Sequence, residues 1–369
     1  MQQTCKLIFL SIWITCSLFA RSLKTTNVIF LMTDGLYWQE VFRGADAALM
    51  TREAGGVEDV QALKSAYWSE NENERRRKLM PFVWTTIAAQ GQIYGDRDEH
   101  SDAVVTNGLN FSYPGYSEAL CGFADARIHS NDKVANPNKT VLEWLNEQRA
   151  FAGRIAAFAA WDVFPYILNA PRAKFPINAG YDAFRLLPES TEIQLLNQLK
   201  AEQPKLWSDE PFDAVPFHTA LAYLKARQPK VLFVSLGETD DWAHSGRYDL
   251  YLDATHRVDR YLQIVWETIS SLPEYRGRTT LVFGTDHGRG SGAEWTSHGE
   301  KVPESKYVFM MFMGPDTPAL GNRAGTATVT ESQIAGTIAA LLGEDYRRAV
   351  PESAPPVRDV VPAYASSGK

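Results

Sequence analysis

The stretch Leu281-Val-Phe-Gly-Thr-Asp286-His287-Gly288 joins a run of apolar, β-prone residues to a carboxylate and an imidazole. A continuous apolar run of this kind is typical of a strand buried on both faces of a parallel sheet. Open α/β sheets carry their functional side chains in the loops at the carboxyl ends of such strands. A second histidine follows on the Gly-containing segment Thr296-Ser-His298-Gly299. The stretch therefore predicts both an α/β fold and the edge of the sheet where a site should lie.

Other segments repeat this pattern of an apolar strand that ends in polar side chains. Asn27–Thr33 is followed by Asp34, and Lys230–Leu236 is followed by Asp240 and His244. Asp240 and His244 are four residues apart, so one helical turn would set both side chains on the same side. Further strands are predicted at 91–95, 154–160 and 307–313, and helices at 79–89, 141–148, 217–227, 248–269 and 330–343. The alternation of strands with helices predicts an α/β domain.

The composition is that of an ordinary globular protein and limits the range of functions. The 369 residues carry 37 Lys and Arg against 44 Asp and Glu, a formal net charge of -7. This mildly acidic balance argues against a nucleic-acid backbone as the main partner. The length suits one large α/β domain, predicted for residues 24–369. A small lid or substrate-binding insertion is predicted at about 161–216, where Pro, Asn and aromatic residues are frequent and periodicity is weak.

The N-terminal segment has the features of a secretory signal peptide, predicted as residues 1–20. Lys6 precedes a short apolar block that ends in small residues near Ala20. The block is too short to span a bilayer comfortably, and no later segment is apolar enough to do so. A secreted or periplasmic protein is expected, with an uncleaved membrane anchor as the alternative. Cleavage would leave Cys121 as the only cysteine and so exclude an intramolecular disulfide.

The Asp and His side chains at the predicted strand ends form a set of oxygen and nitrogen ligands. Its members are Asp34, Asp240, His244, Asp286, His287 and His298. Borderline divalent metal ions prefer ligands of this kind. The set fits two metal sites with three protein ligands each, which leaves open positions for water or substrate. An Asp-His-Gly sequence alone is more often an ordinary turn with an Asx-type hydrogen bond, and the repetition along the chain favours metal.

The segment Thr106–Ser117 is rich in turn formers and hydroxyl groups. Its Pro-Gly pair predicts a rigid bend, with a helix beginning at Glu118. A hydroxyl near a helix N-terminus faces unpaired N–H groups that favour an anion, which suits a serine nucleophile beside a phosphoryl group. Ser112 is the preferred nucleophile, and Thr106 and Ser117 are its rivals. The alternative interpretation is that Ser112 or Ser117 only caps the helix.

Taken together, these motifs resemble those of the alkaline phosphatase superfamily. The matching elements are Leu31-Met-Thr-Asp34-Gly, Phe111-Ser112-Tyr-Pro-Gly-Tyr116, Asp240-x-x-x-His244, Asp286-His287-Gly and His298-Gly. Their order and spacing match over essentially the whole chain after the N-terminal segment. The serine segment is most similar to the Thr-Phe-Pro nucleophile loop of the nucleotide pyrophosphatase/phosphodiesterase branch. The resemblance implies a three-layer α/β/α fold with a mostly parallel central sheet.

The resemblance also implies how two metal ions share the ligands. Asp240, His244 and His298 would hold one ion. Asp34, Asp286, His287 and the Ser112 oxygen would hold the other. In that family both ions are usually zinc, and manganese is the alternative.

Catalysis would then proceed through a phosphoserine on Ser112, which is hydrolysed in a second step. Asn131 is the candidate donor to the phosphoryl oxygens, and its alternative is a plain loop asparagine. Arg127 and Asn110 are weaker candidates for the same role.

The sequence thus predicts a metal-dependent hydrolase of small-molecule phosphate esters, either a phosphomonoesterase or a phosphodiesterase. Typical sulfatase activity is not expected, because Ser112-Tyr-Pro-Gly is followed by Tyr116 where sulfatases carry arginine. A phosphomutase or phosphotransferase of the same superfamily is one alternative. A catalytically inactive secreted binding protein on this fold is another.

Overall fold

Strands β1 and β6–β8 form the middle of the sheet in the computed structural model, which describes residues 23–362. The strands are β1 (Asn27–Thr33), β2 (Gln92–Tyr94), β3 (Ala103–Val104), β4 (Ile155–Ala159), β5 (Ile177–Ala179), β6 (Val231–Leu236), β7 (Thr279–Thr285), β8 (Met310–Met313), β9 (Gly321–Asn322) and β10 (Val329–Thr330). The predicted signal peptide at 1–20 lies outside the described residues. Within them, no helix is long and apolar enough to cross a membrane.

The central sheet has eight strands in the order β5-β4-β6-β1-β7-β8-β2-β9. The strands from β5 to β7 in this order are parallel to one another, β8 is antiparallel to β7 and β2, and β9 is parallel to β2. Strands β3 and β10 form a separate parallel pair. The predicted mostly parallel central sheet is confirmed.

Helices cover both faces of this sheet. The α-helices are α1 (Trp38–Arg43), α2 (Arg52–Gly55), α3 (Val60–Tyr67), α4 (Glu72–Leu79), α5 (Ala88–Gln90), α6 (Ser112–Cys121), α7 (Val141–Glu147), α8 (Phe164–Ile167), α9 (Ala170–Ala173), α10 (Thr191–Glu202), α11 (Ala214–Arg227), α12 (Glu238–His244), α13 (Tyr248–Ser271) and α14 (Gln333–Leu341). A π-helix spans Val83–Ile87, and short 3-10 turns lie at Arg97–Glu99, Gly292–Glu294, Pro303–Lys306 and Tyr346–Arg348.

Strand β1 shows why the fold has three layers. All of its residues are buried, and successive side chains point to opposite faces. Ile29 and Leu31 join a core with residues of α1, α3, α11 and α13, whereas Phe30 and Met32 join a second core with residues of α6, α7 and α14. A strand that buries both faces must be apolar throughout, which explains the continuous apolar run in the sequence. The three-layer α/β/α architecture is confirmed.

The expected start of the nucleophile helix is wrong. Helix α6 begins at Ser112, not at Glu118, and the Pro-Gly pair lies inside its first turn. The first N–H groups of a helix have no intrahelical acceptor, so Pro114 at the third position loses nothing and does not bend the chain. Phe111 is the N-cap residue and makes no side-chain cap. Ser112 is therefore the first helical residue, and neither it nor Ser117 is the cap.

The segment predicted as a lid, about 161–216, contains α8–α10, β5 and the first residues of α11. Strand β5 pairs in parallel with β4 and is an edge strand of the central sheet. Part of this segment is therefore built into the core of the domain. Its role as a lid, and the domain bounds, stay predictions.

Gly115 sets how closely helix α6 approaches strand β7. A Cβ atom on Gly115 would overlap the carbonyl oxygen of Asp286. We expect Gly115→Ala to push α6 away from Asp286 and to destabilise the protein by about 1–3 kcal/mol, although alanine is the better helix former by ~1 kcal/mol. Thermal unfolding of the two proteins measures the difference.

The matched control is Gly284→Ala in β7, where the nearest atom to the new Cβ would be the Phe309 carbonyl oxygen at 3.2 Å. We expect Gly284→Ala to destabilise the protein less than Gly115→Ala does. A Gly115→Ala protein as stable as the wild type would contradict the close packing of α6 on Asp286.

Candidate metal and nucleophile site

The register of three strands places two acidic residues side by side. Thr33 at the end of β1 lies opposite Leu236 of β6 and Thr285 of β7. The next residues, Asp34 and Asp286, therefore enter loops at the same edge of the sheet. The backbone N–H of Gly35 donates to Asp286 Oδ1 at 3.0 Å, which fixes one carboxylate oxygen of that residue.

Helix α12 brings the second pair of candidate ligands to this edge. It begins at Glu238, directly after Gly237 and the end of β6. Asp240 and His244 are one turn apart on the same side of this helix, and His244 Nε2 is 3.0 Å from Asp240 Oδ2. The predicted juxtaposition of these two side chains is present. His298 comes from an irregular loop, and its Nε2 is 2.9 Å from Nε2 of His244.

His287 lies at the centre of the cluster. Its Nε2 is 3.1 Å from Asp34 Oδ1, 3.6 Å from Asp286 Oδ2 and 3.9 Å from Asp240 Oδ1. Two groups have all their ligand atoms within 4.8 Å of one another: Asp34, Asp286 and His287, and Asp240, His287 and His298. The family resemblance implies His287 in the first group alone, but its Nε2 atom is near both. The predicted ligands come together, and their role as ligands stays a prediction.

Hydrogen bonds orient the imidazoles of His287 and His298 towards the cluster. Nδ1 of His287 lies 2.9 Å from the carbonyl oxygen of Gly288, and Nδ1 of His298 lies 3.0 Å from that of Asn110. A carbonyl only accepts, so Nδ1 carries the proton in both rings and Nε2 presents a lone pair to the site. In this tautomer Nε2 is the nitrogen free to bind a cation.

Burial sets the protonation of the candidate ligands. It raises the pKa of Asp34 to about 8, with repulsion from Asp240 as the second cause, and raises the pKa of Asp286 well above its usual range. Burial also lowers the pKa of His287 to about 4 and of His298 to about 3, so both rings are neutral near pH 7. Clustered carboxyl groups beside neutral imidazoles form a donor set that fits a divalent cation.

Arg289 is a charged residue of the site that the sequence analysis missed. It is 1% exposed, and its Nε donates to the carbonyl oxygen of Gly35 at 2.8 Å. Its Nη2 donates to the carboxylate of Asp240, and to the carbonyl oxygen of the same residue at 3.1 Å. Burial alone would raise the pKa of Asp240, but this guanidinium holds it well below its usual range. The sequence did contain one indication of this role, because Arg289 directly follows the Asp286-His287-Gly288 motif.

The candidate nucleophile lies against the first ligand group. Ser112 Oγ is 3.4 Å from Asp34 Oδ1 and 3.4 Å from His287 Nε2. Its rivals are engaged elsewhere, since Thr106 Oγ1 donates to Glu118 at 2.7 Å and Ser117 Oγ accepts from Asn136 Nδ2 at 3.1 Å.

The candidate substrate-binding residues differ in where they lie. Asn131 is near Ser112, because its Oδ1 accepts from the backbone N–H of Tyr113, the second residue of α6, at 3.0 Å. Asn110 is buried and contacts His298 through its carbonyl oxygen. Arg127 donates to the side chains of Asp125 and Asn138 instead.

Solved structures share this architecture over nearly the whole chain. The alkaline phosphatase PafA matches 92% of this chain and 99% of its own length, with a TM-score of 0.58 and 10% identity. A protein of the alkaline phosphatase superfamily from Vibrio parahaemolyticus matches 88% of this chain and 68% of its own, with a TM-score of 0.51 and 11% identity. The chain has the alkaline phosphatase fold.

Other proteins of this fold are similar to the same degree. The phosphonate monoester hydrolase of Agrobacterium radiobacter matches 86% of this chain and 74% of its own, with a TM-score of 0.52 and 12% identity. No protein-family model and no curated protein sequence matches the chain. The likeness to the alkaline phosphatase fold is therefore one of structure, and the expected nucleotide pyrophosphatase/phosphodiesterase branch stays a prediction.

Zinc binding to the metal-free protein should release protons at pH 7, and affinity should increase as the pH rises towards 8. Asp34, with its pKa raised to about 8, and Asp286, with its pKa raised well above the usual range, hold protons that a cation must displace. Calorimetric titration with zinc in two buffers of different ionisation enthalpy counts these protons.

Asp286→Asn is the control for this measurement, because its amide has no carboxyl proton to lose. We expect fewer protons released from this variant than from the wild type. Zinc binding at pH 7 with no proton release in the wild type would contradict the protonation assigned to the site.

Proposed function

We propose that the protein is a metal-dependent hydrolase of phosphate esters with Ser112 as its nucleophile. The position of Ser112 Oγ, 3.4 Å from one oxygen of Asp34 and 3.4 Å from Nε2 of His287, is the observation that carries the proposal. A hydroxyl against two ligands of one cation site is where a nucleophile can be activated. The alkaline phosphatase fold and the names of its neighbours, a phosphatase and a phosphonate monoester hydrolase, support the broader class of phosphoryl or sulfuryl transfer.

The residues present fit a pair of divalent ions, which we propose to be zinc, with manganese as the alternative. Asp34, Asp286 and His287 would hold one ion, and Asp240, His244 and His298 the other. When bound, the ions supply positive charge that lowers the pKa of the Ser112 hydroxyl and balances the charge of the phosphoryl group.

The reaction proceeds in two displacements at phosphorus. Ser112 Oγ forms a bond to phosphorus while the bond to the alcohol oxygen of the substrate breaks. The hydroxyl proton of Ser112 passes to solvent, and the leaving oxygen takes a proton from solvent to give the free alcohol. Water then attacks the phosphoserine, the bond from phosphorus to Ser112 Oγ breaks, and a proton from the water restores the Ser112 hydroxyl. The product is inorganic phosphate from a monoester and a phosphate monoester from a diester. The N-terminus of α6 directs the backbone N–H of Ser112 and the positive end of the helix dipole towards the phosphoryl anion, since the N–H of Tyr113 is bonded to Asn131 and Pro114 has none.

Two side chains bear on the identity of the substrate. Asn131 lies beside the N-terminus of α6, so its amide is placed to donate to a phosphoryl oxygen. Tyr116 is fully buried and its hydroxyl oxygen accepts a hydrogen bond from Ser235 at 3.0 Å, so no basic group lies at the position where sulfatases carry arginine. A small-molecule phosphate ester is the substrate class that we infer.

Replacement of the nucleophile provides the test. Purified protein is assayed with p-nitrophenyl phosphate and bis-p-nitrophenyl phosphate, with and without a chelator. We expect chelator-sensitive turnover that Ser112→Ala lowers on the order of 10⁴-fold or more. The preferred ester then distinguishes a phosphomonoesterase from a phosphodiesterase.

Ser117→Ala in the same helix is the control, and we expect it to retain turnover. Full activity of Ser112→Ala would show that another group is the nucleophile. A wild type that binds two ions but hydrolyses neither ester would favour a phosphotransferase or phosphomutase. A wild type that binds no metal would favour an inactive binding protein.

A further inference from the structure

Glu118 is a fully buried carboxylate in the same helix as Ser112, and it is surrounded by donors. Its oxygens accept from the backbone N–H and hydroxyl of Thr106, the backbone N–H and side-chain amide of Asn107, and the hydroxyl of Ser332, at 2.6–3.0 Å. A buried charge is costly unless hydrogen bonds of this kind solvate it. This carboxylate therefore fastens the loop that precedes α6 to the helix itself.

The hydrogen bonds continue from this carboxylate to a candidate metal ligand. Asn107, held by Glu118, accepts through Oδ1 from the backbone N–H groups of Leu109 and Asn110, both at 2.9 Å. Asn110 has a left-handed backbone with φ of 53°, a conformation that Asn tolerates better than most residues. Its carbonyl oxygen accepts from His298 Nδ1 at 3.0 Å.

We propose that Glu118 is a positioning residue for His298, acting through Asn107 and Asn110. His298 lies on an irregular loop, so no strand register fixes its imidazole. Its orientation depends on the carbonyl oxygen of Asn110, and the place of that oxygen depends on a turn that Glu118 holds. The inference rests on the proposed metal site, because it concerns the ring whose Nε2 faces Asp240 and His244.

If Glu118 positions His298, the affinity of the site for metal depends on this buried carboxylate. Partners that hold the second nitrogen of a ligating histidine fix its tautomer and orientation, and their loss typically weakens metal binding or activity by about 10–100-fold. Glu118→Gln replaces one acceptor oxygen by an NH₂ group, which would face N–H and O–H donors. The turn would rearrange and release the carbonyl oxygen of Asn110.

Glu331 offers a matched control for this substitution. It is also a fully buried glutamate, but neither of its oxygens has a hydrogen-bond partner among residues 23–362. Burial, and then repulsion from Glu118 and Asp286, raises its pKa well above the usual range. Glu331→Gln therefore exchanges a neutral acid for a neutral amide of the same shape, and we expect it to leave metal binding unchanged.

The experiment measures zinc affinity directly. Metal-free wild type, Glu118→Gln and Glu331→Gln are titrated with zinc chloride against a chromophoric chelator, and thermal unfolding is recorded with and without zinc. We expect Glu118→Gln to bind one of its ions about 10–100-fold more weakly. Activity of this variant should recover at high zinc. Glu331→Gln should match the wild type in zinc affinity.

A Glu118→Gln protein with lowered thermal stability but unchanged zinc affinity would show a purely structural role and overturn the proposal. Should that variant not fold, Asn107→Ala breaks the same path at a partly exposed residue, and unchanged zinc affinity there would be equally decisive. A wild type that binds no zinc overturns the proposal together with the metal site. A wild type that binds zinc without turnover contradicts the hydrolase alone, since affinity is read without catalysis.

Discussion

Three carboxyl groups gathered at one edge of a sheet are the constraint on which the site depends. Asp34 and Asp286 are almost fully buried, and the side chain of Asp240 is 15% exposed. Buried like charges repel one another and lose their hydration, so they require protons or positive charge nearby. Arg289 provides one fixed positive charge, and the same burial keeps His287 neutral and able to bind a cation. The buried carboxyl groups thus need positive charge nearby, and the proposed reaction uses positive charge at the same place.

Backbone contacts hold the groups together against this repulsion. The in-register pairing of β1 with β6 and β7 fixes where Asp34 and Asp286 leave the sheet. Gly35 has a φ of 55°, and a Cβ there would overlap Asp240 Oδ1, so only glycine lets the two loops approach this closely. Gly115 brings α6 onto the backbone of Asp286 in the same way. Two glycines therefore set the distance between the candidate nucleophile and the candidate ligands.

The parts of the fold predicted from the sequence are those that local pattern controls. Apolar runs followed by Asp within a few residues located β1, β6 and β7, and parallel strands that share a carboxyl edge bring the residues after them together. The start of α6 was misplaced because a Pro-Gly pair signals a bend in most settings but is harmless in a first helical turn. Arg289 was not found, because its partners Gly35 and Asp240 lie far away in the chain. Periodicity identifies which face is buried but not what lies opposite.

The two candidate ion sites differ in how much of them the sheet builds. Asp34, Asp286 and His287 follow strands that pair directly, so the core of the protein places them before any ion is bound. His244 has a side chain 48% exposed, and His298 lies on a loop held by the carbonyl oxygen of another loop. The second group is thus the less constrained one, and it is also the one that opens to solvent, where a substrate must enter. Burial of a carboxylate as deep as that of Glu118 is costly. In our proposal, the hydrogen-bond path from this carboxylate to His298 gives order to the second group of ligands.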